Sequence, residues 1–118
     1  MSLLHIWMGN REAFSDKSVE QVLSFCGDGR LTDNSNTSWE FREYLANIDS
    51  TTLARYVNDC LENPFKDSGL VLQDLVNEIA IRLSFLVDHG VYRGNKSHVG
   101  YDGLWRAEDG YCTLVEVK

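Results

Sequence analysis

SFLVDHGVYRGNKSHVGYDGLWRAEDGYCTLVEVK, residues 84–118, breaks with everything before it. Up to Ser84 the apolar residues recur at helical spacing. Past it, Phe85, Val87, His89 and Val91 fall at every second position, the period of a strand. This predicts a first strand running to about Arg93. GNKSHVG reads as a loop, Val99 to Trp105 as a second strand, and Ala107-Glu108-Asp109-Gly110 as the turn of a hairpin. Tyr111 to Lys118 is then a third strand, so the sheet is expected to be an antiparallel meander.

Outward from this stretch the chain reads as helices. Ser68 can cap a longer helix with a stripe of Leu72, Leu75, Val76, Ile79 and Leu83. Before it, Asp49 or Ser50 can cap a helix carrying Leu53, Tyr56, Val57, Cys60 and Leu61, which Pro64 ends. Thr37-Ser38-Trp39-Glu40 matches a capping box, with Phe41, Tyr44 and Leu45 on the buried face. Ser15 can cap a helix through DKSVEQVLSF with Val19, Val22 and Leu23 inward. GDGRLTDNSN is a turn segment. The predicted class is α+β: an acidic helical segment, 1–64, followed by a helix and a three-stranded antiparallel meander, 65–118.

Composition bounds what the protein can be. The chain has 118 residues, 43% hydrophobic and 11% aromatic, with one Pro, enough apolar surface for a core. No apolar run approaches the ~18 residues of a membrane span. Three cysteines, Cys26, Cys60 and Cys112, give neither a closed disulfide set nor a zinc-type pair. A reducing, cytoplasmic setting is the expectation. The net charge of −7 weakens general nucleic-acid binding, which depends on Lys and Arg. The acid excess is concentrated in residues 1–62, with five Lys/Arg against ten Asp/Glu. A local basic surface from Arg93, Lys96, His98 and Arg106 stays open.

Chemistry concentrates at the C-terminal end. On a strand, Glu116 and Lys118 point to one face and Val115 and Val117 to the other. If Tyr111–Lys118 pairs with Val99–Trp105, Asp102 can lie beside Glu116. Two carboxylates so placed make a hard oxygen site suited to Mg²⁺ or Mn²⁺, and an adjacent Lys can position a water or offset phosphoryl charge.

An Asp followed by Glu-x-Lys, on adjacent strands after a helix, resembles the signature of the PD-(D/E)XK nuclease superfamily, the restriction-endonuclease-like phosphodiesterases. The resemblance covers roughly Gly69 to Lys118. LQDLVNEIAIRLSFLV has the shape of the opening helix and first strand of that core. Tyr101 stands where the name-giving pattern has Pro. The family's core continues past this strand into another helix and strand, so the resemblance implies the front part of a longer protein, such as a defence or repair enzyme. It further implies metal-dependent hydrolysis of DNA, with Asp102 and Glu116 as metal ligands and Lys118 as the catalytic lysine. The Val117 carbonyl would complete the site. In many members the first helix adds a carboxylate, for which Glu78 is the candidate and Gln73 the closer positional match.

Two other functions are compatible with the residues: a nuclease-like domain that binds without turnover, and a helical protein-interaction module with Glu-x-Lys as surface decoration. An exposed terminal strand could also pair with a second copy to give a homodimer. His5, His89 and His98 lack zinc-ligand spacing, and no glycine-rich phosphate-binding fingerprint occurs. Trp105 could stack on a base or pack the hairpin.

Overall fold

Four of the six helices among the described residues begin where a side chain accepts one of the amides that the first turn leaves without a partner. The computed structural model describes residues 2–90, 92 and 102–117. Ser2 caps α1 (Leu3–Gly9), accepting from the His5 amide at 3.4 Å. The short α2 (Arg11–Phe14) follows. Ser18 and Gln21 form a reciprocal capping box at α3 (Val19–Leu23). Ser35 caps α4 (Asn36–Leu45) and Asp49 caps α5 (Ser50–Glu62). Asp67 precedes α6 (Ser68–Arg82).

Two predicted caps are displaced, each because its side chain has another partner. The Ser15 hydroxyl donates to the Glu12 carbonyl at 2.7 Å and closes α2, so the next helix starts at Val19 under Ser18. Thr37 lies inside α4, where its hydroxyl donates to the Asp28 carboxylate at 3.0 Å and accepts from the Asp28 amide at 3.3 Å. Glu40 reaches not backward but across to α1, accepting from the Leu3 amide at 3.1 Å. The box predicted at Thr37–Glu40 is therefore a tertiary clamp.

The helices enclose one hydrophobic cluster that includes Leu3, Phe14, Val22, Phe41, Tyr44, Leu53 and Tyr56. Pro64 to Ser68 links α5 to α6, and Val71 and Leu75 on the far side belong to that same cluster. The predicted stripe of α6 is rotated. Leu75 is buried, but Ile79 and Leu83 are exposed while Gln73, Asp74, Asn77 and Glu78 are buried. The cause is that α6 packs on helices along one flank and on the sheet along another, so its polar residues find tertiary partners.

The sheet follows the predicted order. Strands β1 (Leu86–His89), β2 (Gly103–Arg106) and β3 (Cys112–Val115) are antiparallel neighbours in sequence order. Val87 pairs with Trp105 and Trp105 with Thr113. The hairpin closes through Ala107 and Tyr111, with Gly110 at φ +90°, a conformation that favours glycine. Trp105 packs against Phe85 with ring centroids 5.6 Å apart, and the Trp105 indole reaches α6. Leu86 and Leu114, on the face away from α6, are 75% and 64% exposed. The fold is thus α+β, six helices and a three-stranded antiparallel sheet among the described residues. No helix among those residues is long and apolar enough to cross a membrane.

The predicted extension of the first strand through Val91 to Arg93, the GNKSHVG loop, and the start of the second strand at Val99–Tyr101 lie outside the described residues, apart from Tyr92. So do Lys118 and, from the proposed basic surface, Arg93, Lys96 and His98. The remaining member, Arg106, pairs with Asp88 across the sheet at 3.0 Å.

Candidate functional site

The site is built where α6 meets the open end of the β2–β3 hairpin. Its anchor is Asn77, placed by helical spacing on a polar row with Asp74 and Glu78 at i−3 and i+1. The Asn77 amide donates to the Asp102 carbonyl at 2.8 Å, and its oxygen accepts from the Trp105 indole at 2.9 Å. Gly103 has no side chain because none fits: a Cβ there would lie 2.1 Å from the Asn77 oxygen. Helix and hairpin are therefore locked by one amide passing over one glycine.

That lock fixes Asp102. The regular register pairs Gly103 with Val115, yet the Asp102 amide also donates to the Val115 carbonyl, at 2.9 Å. Two residues of one strand thus oppose one of the other, the pattern of a β-bulge, a device that re-aims a side chain. The Asp102 carboxylate turns to β3 and accepts a hydrogen bond from the Val117 amide. Asp102 consequently holds the residues on either side of Glu116, Val115 through its amide and Val117 through its carboxylate. A carboxylate has about four acceptor positions, so this bond leaves Asp102 with further oxygen-donor capacity.

The α6 candidates lie elsewhere in the network. Glu78 is buried and pairs with Arg82 at 2.7 Å. The same guanidinium donates to the Leu45 and Ile48 carbonyls and the Ser50 hydroxyl, so this carboxylate faces the α4–α5 corner. Gln73 is buried on the same helix. Among the described residues, no three His, Cys, Asp or Glu side chains come together as a metal cage.

A second polar cluster, absent from the sequence reading, underlies the sheet. Asp74 is almost fully buried, with Arg42 Nε at 3.2 Å and the Tyr92 hydroxyl at 2.6 Å. Burial pushes the Asp74 carboxyl up to about 6, outweighing the opposing pull of Arg42. His89 stands opposite Gly103 in the register, and its buried Nδ1 has no hydrogen-bond partner among the described residues. Burial, reinforced by the Arg42 charge, lowers His89 to about 4, so it is neutral at pH 7. Spacing carried a signal here. Gln73, Asp74, Asn77 and Glu78 are two polar pairs one turn apart, inside an otherwise apolar run.

Comparison of the chain with protein-family models, curated proteins and solved structures returned no match.

Proposed function

We propose that this protein is a metal-dependent nuclease that hydrolyses phosphodiester bonds of DNA, with Asp102 and Glu116 as ligands of Mg²⁺ or Mn²⁺ and Lys118 as the catalytic lysine. The observation that carries the reading is the bulge at Asp102, whose amide and carboxylate grip the chain on both sides of Glu116. This brings one candidate ligand to the backbone of the other, each one residue beyond the end of its strand, Asp102 before β2 and Glu116 after β3. The donor set fits the ion, since carboxylates and a Val117 carbonyl are hard oxygen ligands, and Mg²⁺ uses one or two carboxylates with water and phosphate oxygens completing its shell. Bound there, the ion supplies a lowered pKa for an attacking water and positive charge against the transferring phosphoryl group.

The chain's own residues do the positioning. Asn77 holds the Asp102 carbonyl, which fixes the bulge, and the bulge aims the carboxylate. Lys118 would orient the water and offset charge growing on the phosphate in the transition state. Glu78, already paired with Arg82, takes no direct part in this mechanism.

The test is Mn²⁺ titration followed by NMR line broadening, then plasmid cleavage with Mg²⁺. Asp102→Asn preserves the side-chain shape while removing charge. Broadening centred on residues 102–117 and lost in Asp102→Asn is the expected result, with cleavage lost in Glu116→Gln and Lys118→Met. Absence of such broadening in the wild type would sink the reading. Metal binding without cleavage would favour the nuclease-like domain that binds without turnover.

A further inference from the structure

In a chain with a net charge of −7, an arginine without an acidic partner is an anomaly. Arg30, Arg42, Arg82 and Arg106 each pair with a carboxylate within 4.0 Å. Among the described residues that leaves Arg11 and Arg55, and both line one cleft of about 380 Å³ among α1, α2, α4 and α5. The volume falls within the roughly 300–1,000 Å³ range of small-molecule sites.

Both guanidiniums lie over aromatic rings of the cleft. Arg11 lies over the Trp7 ring, 4.5 Å from its centroid, and Arg55 over Tyr56 at 5.1 Å. A cation–π contact favours a guanidinium at that place without using its N–H groups, which remain for a ligand. Arg55 uses one of its five donors on the Lys17 carbonyl, at 2.6 Å. Asp49 is the one acid of the lining; the Thr52 amide donates to its carboxylate at 2.8 Å, and the Thr52 bonds, with smaller help from the Arg82 and Arg55 charges, hold its carboxyl below the ordinary range. The Tyr44 and Tyr56 hydroxyls bond to each other and both rings are buried beneath the cleft, so its accessible aromatic surface is the half-buried Trp7.

We infer that this cleft binds a small phosphomonoester, its phosphate on Arg11 and Arg55 and its organic body beside Trp7. Two planar donor forks match the three oxygens of a phosphate, which carries about −1.5 to −2 charge at pH 7. A carboxylate offers a single charge and two oxygens. The inference stands apart from the nuclease reading, because the cleft shares no residue with Asp102, Glu116 or Lys118.

Phenyl phosphate and benzoate share a ring and differ in the oxyanion, so NMR titration with each separates the two chemistries. Phenyl phosphate is expected to shift the Trp7 indole and Thr52 amide signals saturably and to bind more tightly than benzoate. Arg11→Gln, at an exposed position outside any ion pair, is expected to fold normally and to weaken phenyl phosphate by at least ~10-fold. No saturable shift, equal affinity for benzoate, or unchanged affinity in Arg11→Gln would each overturn the assignment.

Discussion

Asp74 and His89 titrate over the same pH interval with opposite consequences for stability. The Asp74 carboxyl is raised to about 6, so between its ordinary value and 6 the folded chain holds a proton that the unfolded chain has released. Stability from that residue therefore falls as pH rises through 6. His89 is lowered to about 4, so between 4 and 6.5 the unfolded chain holds the extra proton and stability rises with pH. Acidification from pH 6.5 to 4 should thus destabilise Asp74→Asn more than the wild type, and His89→Gln less. Urea midpoints at the two pH values measure both differences, and parallel pH profiles in all three proteins would contradict the assignment. The sequence marked His89 only as one position of an alternating strand and Asp74 not at all, because their shifts come from burial by distant elements. Tyr92 and Arg42, which bond Asp74, lie 18 and 32 residues away.

At the scale of elements, α6 and the hairpin communicate through Asn77 and Gly103. Gly103→Ala should cost about 1–3 kcal/mol, since the new methyl must displace an amide that satisfies both Asp102 and Trp105. In Asn77→Ala that obstacle is gone. The double variant Asn77→Ala/Gly103→Ala should therefore be more stable than the sum of the single losses implies, as a denaturation double-mutant cycle would show. Strict additivity would mean that the two positions do not meet. The helix and both strands were legible from the change of period at Ser84. The bulge was not, because nothing in Asp102-Gly103 distinguishes a regular ladder from one with an extra residue. The hydrogen bonds of Val115 and Val117 decide it.

For the whole molecule, thiol accessibility reports the assembled core. Cys26 and Cys60 are buried in the helical cluster, and burial pushes their thiols up to about 12 and 11. Cys112 is exposed on the sheet. A thiol reagent at neutral pH should label one cysteine per native chain quickly, and all three in denaturant. Fast labelling of three in the native state would contradict the packing.

The sequence by itself determined the α+β order of elements and the turn at Ala107–Gly110, and it put forward Asp102, Glu116 and Lys118 as the candidates that the proposed function rests on. These are local properties: period, turn residues and spacing are written within a few positions of one another. Tertiary structure alone decided the rotation of α6, the moved caps at Ser18 and Ser35, the burial of Asp74 and the bulge that turns Asp102 toward Val117. The physical reason is that a polar side chain takes the best partner within reach in space. Thr37 met Asp28, Glu40 met the Leu3 amide and Asn77 met Asp102, and none of those meetings has a fixed spacing along the chain.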